Sequence, residues 1–169
     1  MQARMDYGKV DPDAVNTMLG LVKYVMKSGL EQSLVDLVVL RASQINHCAY
    51  CIDMHYKDAL TSGEQLQRLY GLDAWRESPY YSDRERAALA WTEAVTLVTD
   101  GFVPDDVYEQ ARQEFTEKEL IALTMAVIEI NGWNRLNLSF RTVPGAYQSQ
   151  RKPESRRDPM PTGVSIRDN

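Results

Sequence analysis

The sequence has no apolar run long enough to cross a bilayer and no signal-peptide core. Its longest apolar-rich runs, LVDLVVL and LIALTMAVIEI, are short and interrupted, and the N-terminal MQARMDYGKVDPD contains no apolar stretch of signal-peptide length. We therefore expect a cytoplasmic protein with no membrane partner. Because that compartment is reducing, two cysteines close together in sequence are predicted to be catalytic or metal-binding rather than a permanent structural disulfide.

The sequence also has fewer basic than acidic residues, 19 against 24. The formal net charge is −5, whereas phosphate binding needs a clustered basic surface, so a nucleic-acid partner is not expected. The sequence contains neither a glycine-rich phosphate loop nor a dinucleotide fingerprint. We predict that no cofactor is bound and that reducing equivalents come from another thiol carrier.

Helix start and stop signals, by contrast, are frequent. Asp11 followed by Pro12 gives an N-cap and an N1 proline, and Gly29 stands where a C-terminal glycine belongs. A second helix is predicted up to Asn46. That asparagine is predicted to be the N-cap of a third helix that runs to about Ser62.

Two capping boxes mark the start of later helices, Ser82 with Glu85 and Thr116 with Glu119. Each box precedes a long run of apolar residues at helical spacing. With 169 residues, 44% of them hydrophobic, the chain is predicted to form one all-α domain of six to eight helices around a single core.

The C-terminal end differs from the rest of the chain in proline content and in hydrophobic periodicity. After Phe140 it carries four of the seven prolines and little periodicity. We therefore divide the chain into a helical domain, residues 1–143, and a Pro-rich extended arm, residues 144–169. An arm without a core of its own is predicted to lie on a neighbouring subunit of an obligate homo-oligomer.

The stretch INHCAYCIDMHYKDAL holds both cysteines and both histidines within nine positions. On a helix, Cys48, Cys51 and His55 share one face. The helix N-terminus stabilises a thiolate, which favours Cys48. A neighbouring thiol lets a sulfenic acid, formed when a thiolate attacks a peroxide, collapse into a disulfide, and the imidazole of His55 suits general acid–base work.

Two other interpretations of this stretch remain open. A zinc site would need a carboxylate or His47 as its fourth ligand, because no second cysteine or histidine pair exists. A structural role would make the cysteines small buried apolar side chains and His55 a core histidine. The redox interpretation is favoured because the spacing and the chemistry agree.

These residues give the chain a resemblance to a known family. The segments LVDLVVLRASQINHCAYCIDMHYKDAL, RLYGLDAW, ERAALAWTEAVT and EKELIALTMAVIEINGWNRL resemble the AhpD-like alkylhydroperoxidase branch of the carboxymuconolactone decarboxylase family. The resemblance extends from about Val10 to Phe140. It implies an AhpD-like helical bundle, assembly into trimers or hexamers, and thiol-dependent peroxidase activity supported by an unidentified thiol reductant or reductase.

The resemblance also implies roles for individual residues. Cys51 would be the peroxidatic cysteine, Cys48 the proton donor and resolving thiol, and His55 part of a proton relay. The helix-terminus argument favours Cys48 as the more acidic thiol, but we follow the family because Cys51 lies one turn from His55. Twelve residues before Cys48 the family has a glutamate, and here Asp36 offers a carboxylate one methylene shorter. Tyr50 stands where some relatives have a second histidine.

Two other functions are considered. A lyase or isomerase acting on a lactone acid is suggested by the name of the wider family, but that branch is expected to lack the cysteine pair. A non-catalytic helical interaction protein with a vestigial site would show slow thiols and no turnover.

Overall fold

A computed structural model describes residues 2–152, and the regular structure in that range is helical throughout. This confirms the predicted all-α domain of six to eight helices. No helix in these residues has both the length and the apolar character needed to cross a membrane. The α-helices of the described range are α1 (Tyr7–Val10), α2 (Pro12–Met26), α3 (Gln32–Ile45), α4 (Ala49–Thr61), α5 (Leu66–Tyr70), α6 (Asp83–Thr96), α7 (Asp105–Glu114) and α8 (Glu117–Phe140).

Local sequence sets several of the helix starts as predicted. The side chain of Asp11 caps α2. Ser82 with Glu85 at the start of α6, and Thr116 with Glu119 at the start of α8, each form a complete capping box in which both side chains bond the other residue's backbone N–H. These interactions satisfy backbone donors that a helix end would otherwise leave free.

The junction between α3 and α4 differs from the prediction. Asn46 is the C-cap of α3, and Cys48 is the N-cap of α4. The side chain of Asn46 is committed elsewhere, because its Nδ2 donates to the Oδ1 atoms of Asn131 at 3.0 Å and Asn134 at 2.8 Å on α8. His47 turns the chain between the two helices with a φ of 54°, in the left-handed region.

The core lies between α3, α6 and α8, with α2 against α8 and α4 against α3. These helices contribute apolar side chains that are fully buried, so each turns one face inward. The largest of them are Leu37, Leu40, Leu89, Leu123 and Ile130. The N-terminal end of α4 is thereby held against both α3 and α8.

The first part of the arm lies on its own chain. Lys57, on α4, donates from Nζ to the carbonyl oxygens of Gly145 at 3.2 Å and Tyr147 at 3.1 Å. We call residues 145–151 the strap. The strap therefore contacts α4 of its own chain, and the placement of the arm on a neighbouring subunit stays a prediction. The remainder of the arm, residues 153–169, lies outside the described residues, and homo-oligomerisation stays a prediction.

Candidate active site

The two cysteines are joined as a disulfide at the N-terminus of α4, with Cα atoms 5.3 Å apart. Each residue is 1% exposed. As the N-cap, Cys48 accepts the backbone N–H of Cys51, with 3.4 Å between nitrogen and sulfur. The three-residue spacing of Cys48 and Cys51 brings their two sulfurs together. The N-terminus of α4 is directed at the side chain of Cys48.

The cysteine pair is enclosed by apolar side chains and one amide. Val39 and Ala42 of α3 and Ile130 of α8 pack with the two cysteines. Nδ2 of Asn137, also on α8, lies 3.5 Å from the sulfur of Cys51. Asn137 is not among the site residues predicted from the sequence. The only indication in the sequence was that this asparagine lies on the inward side of an apolar helical run.

His55 lies one helical turn after Cys51. Both of its ring nitrogens are shielded from solvent, and neither has a hydrogen-bond partner in the described part of the chain. Burial lowers the pKa of His55 to about 4, the carboxylate of Asp58 opposes that shift and the guanidinium of Arg151 reinforces it. The imidazole is therefore neutral near pH 7 and able to accept a proton.

His55 lines a cavity of about 190 Å³. Val35 and Val39 line this cavity and also pack in the cluster that contains the cysteines, so the cavity and the disulfide share a wall. The other apolar lining residues are Val22, Val25, Met26 and Leu30. The polar lining residues are Gln32, His55, Glu129 and Arg151.

Glu129 brings a buried carboxyl group to this cavity. It is 7% exposed, and burial raises its pKa to about 7, against a smaller opposing hydrogen bond from Trp133. Near neutral pH a substantial fraction of Glu129 is therefore protonated, beside a neutral imidazole. Glu129 is not among the site residues predicted from the sequence, although its position inside the apolar run MAVIEI was a possible indication.

Asp36 is buried, at 3% exposure, but it is not hydrogen-bonded to His55, whose two nitrogens both lack partners in the described residues. Its carboxylate oxygens lie 2.6 and 2.7 Å from Nη1 of Arg151, and Gln32 donates to one of them at 2.9 Å. Burial raises the pKa of Asp36, and Arg151 and Gln32 counter that effect. The expected relay pair is thus brought to one region without a direct bond.

Cys48 lines a cleft that is distinct from the cavity lined by His55. A cleft of about 180 Å³ is lined by Cys48, the exposed His47, Asn137 and Thr142. Cys51 does not line this cleft. Among the described residues, no three or more His, Cys, Asp or Glu side chains are grouped to hold a metal ion, so the zinc interpretation finds no ligand set there.

A helical bundle that buries a Cys-x-x-Cys disulfide against α8 defines an AhpD-like helical protein. The carboxymuconolactone decarboxylase family matches residues 12–94. YdfG, an uncharacterized protein of Bacillus subtilis (strain 168), is 37% identical over 139 residues, which is 82% of this chain and 95% of that protein. The chain belongs to the carboxymuconolactone decarboxylase family.

Solved structures agree with this assignment. The crystal structure of a protein of unknown function from Agrobacterium tumefaciens, for which a role as an antioxidant defence protein AhpD has been suggested, is 40% identical, with a TM-score of 0.84 over 86% of this chain and 100% of that one. The debrominase Bmp8 is 19% identical, with a TM-score of 0.73 over 80% of this chain and 73% of that one. The second likeness shows the fold alone.

Proposed function

We propose that this protein is a thiol-dependent peroxidase that cycles Cys48 and Cys51 between dithiol and disulfide. The observation that carries the proposal is the buried cysteine pair one helical turn from a neutral imidazole that faces a cavity and has no hydrogen-bond partner among residues 2–152. The 40% identity to a protein with a suggested antioxidant role supports it. The peroxide and the thiol reductant are further partners of this proposal.

In the first step, the reduced Cys51 attacks the terminal oxygen of a hydroperoxide. His55 accepts the thiol proton, the sulfur–oxygen bond forms, and the O–O bond breaks. The departing oxygen takes this proton back from His55 and leaves as an alcohol, or as water from hydrogen peroxide. The protonated form of Glu129 is a second proton source in the same cavity. The products are a Cys51 sulfenic acid and ROH.

In the second step, the thiol of Cys48 attacks the sulfenic sulfur of Cys51. The disulfide forms, and the sulfenic oxygen leaves as water with the Cys48 proton. A dithiol carrier then restores both thiols and becomes oxidised itself. Because Cys48 lines an outer cleft and Cys51 does not, we propose that the carrier attacks the sulfur of Cys48.

The lyase alternative has no comparable support in the site. The lyase function and the peroxidase function are tested with the same three proteins: the wild type, Cys48→Ser and Cys51→Ser. A ring-opening or decarboxylating activity on a lactone acid that survives both substitutions would favour the lyase. An interaction protein with a vestigial site would show slowly reacting thiols in the wild type.

Mass spectrometry of the reduced protein after one equivalent of peroxide tests the proposal. We expect the wild type to lose two hydrogens across the pair, and Cys48→Ser to accumulate a Cys51 sulfenic acid that a dimedone probe traps. His55→Gln should slow the oxidation by about 100-fold, whereas His47→Asn, at an exposed position whose left-handed φ suits asparagine, should not. An unchanged mass with Cys51 still open to alkylation would contradict the proposal.

A further inference from the structure

The strap brings a cation from the C-terminal arm to the site. Besides its two contacts with Asp36, Arg151 places Nε 3.8 Å from Oδ2 of Asp58 and Nη1 3.4 Å from Oγ of Ser62. Asp36 lies on α3, and Asp58 lies on α4. Arg151 therefore bridges α3 and α4, the helix that carries His55.

Other strap residues fix this arrangement. The hydroxyl of Tyr147 donates to Oδ1 of Asp58 at 2.8 Å. The backbone N–H of Gly145 donates to Asp53 at 3.1 Å, and Lys57 bonds two strap carbonyls while pairing with Asp53 at 2.8 Å. Several contacts along α4 thus limit where the Arg151 guanidinium can lie.

The charged groups around His55 come from different elements. Asp58 of its own helix and Arg151 of the strap act on the imidazole directly, Glu129 of α8 lines the same cavity, and Asp36 of α3 contacts Arg151. Arg151 pairs with both aspartates, and the imidazole is the group left without a partner in the described chain. A buried carboxylate that lacks a cation either takes up a proton or recruits the nearest available donor.

We propose that Arg151 is a positioning residue of the site: by pairing with Asp36 and Asp58 it keeps both carboxylates from His55 and leaves the imidazole free to face the cavity. The importance of this for turnover rests on the proposed function, in which His55 is the base. The placement itself does not depend on any activity. It assigns a role to the strap within its own subunit.

An ordinary surface ion pair would not have this effect, because such pairs contribute little and are screened by solvent. Here the carboxylate partner is almost fully buried and its side chain is 4% exposed, while the Arg151 side chain is 30% exposed. The pair therefore lies at the boundary of the core. Loss of the cation would leave the buried Asp36 charge without compensation and would remove a positive charge that opposes protonation of His55.

The test is an NMR titration of His55 in the full-length, disulfide-containing protein, with His47→Asn used to assign the two histidine signals. Arg151→Gln removes the charge and keeps a polar side chain, Arg151→Lys keeps the charge, and Lys152→Gln removes a neighbouring exposed charge as the matched control. We expect Arg151→Gln to raise the His55 pKa by about one unit from its value of about 4. The other two variants should leave it near the wild-type value.

If the protein turns over peroxide, the acid limb of its kcat/KM profile should move upward by the same interval in Arg151→Gln. A wild type without peroxidase activity would refute the proposed function but leave the titration as a test of the strap. The positioning role is overturned if the folded Arg151→Gln protein titrates like the wild type, or if Lys152→Gln shifts His55 equally. Circular dichroism establishes that each variant is folded.

Discussion

Nδ2 of Asn137 and the sulfur of Cys51 lie 3.5 Å apart, although 86 positions separate the two residues. The amide also donates to the carbonyl oxygen of Trp133 at 3.0 Å, and its oxygen accepts the hydroxyl of Tyr7 at 3.0 Å. The long helix α8 thereby presents an oriented, buried donor to the cysteine that we propose attacks peroxide. A hydrogen bond to sulfur stabilises the thiolate more than the thiol.

Asn137→Ala is expected to raise the thiol pKa of Cys51 in the reduced protein by about one unit, because the thiolate loses a donor. Alkylation of Cys51 measured as a function of pH reports this change directly. Tyr7→Phe is the control, since it removes the bond to the Asn137 oxygen and leaves Nδ2 in place. Equal alkylation profiles for Asn137→Ala and the wild type would mean that the amide has no influence on the sulfur.

Glu129→Gln is expected to stabilise the protein at high pH. The folded-state pKa of Glu129 is about 7 against an ordinary value of 4.5, so the folded protein holds more protons than the unfolded chain between these values. Its stability therefore falls as pH rises through that window, by about 3 kcal/mol when complete. A glutamine side chain resembles protonated glutamic acid, so Glu129→Gln avoids this loss of stability.

Denaturant unfolding of Glu129→Gln and the wild type at pH 4.5 and pH 8 measures the effect. The comparison of the two proteins cancels the opposite contribution of His55, whose lowered pKa makes stability rise with pH between about 4 and 6.5. Glu109→Gln, at an exposed position on α7, is the control for loss of a negative charge. A stability difference that stays constant with pH would show that folding does not raise the pKa of Glu129.

Asp36→Asn is expected to slow peroxide turnover and leave the fold intact, because Arg151 loses its main anionic partner beside His55. Asp36→Glu restores the residue type that the family resemblance implies and should preserve or raise the rate. Initial rates at several pH values distinguish the variants, with Asp100→Asn as an exposed carboxylate control. Turnover of Asp36→Asn equal to that of the wild type would exclude Asp36 from the mechanism.

Two truncations separate the roles of the arm. Ending the chain after Lys152 keeps the strap, whereas ending it after Pro144 removes the strap contacts to α4. We expect only the shorter protein to melt at lower temperature, since burial of Asp36 is then uncompensated. Light scattering of both tests the predicted homo-oligomer: a lower mass for both would assign residues 153–169 to assembly, and an unchanged mass for both would remove the arm from it.

The sequence by itself determined the helical elements and the proximity of the two cysteines. Caps such as Asp11 and Ser82 act on backbone groups a few residues away, so their effect can be read from local spacing. The same short-range geometry brings Cys48 to Cys51. Asn46 shows the limit of this reasoning, because two asparagines of α8 hold the side chain that was expected to cap α4.

Only the tertiary structure decided what surrounds the pair. Asn137 reaches Cys51 across 86 positions and Arg151 reaches Asp36 across 115, and no local spacing rule relates residues so far apart. Burial is also a property of the packed helices, and it makes His55 a neutral base and Glu129 a weak acid in one cavity. The sequence specifies which ionisable side chains are present. The charge state of each one depends on the solvent and the partners that remain accessible to it after the helices pack.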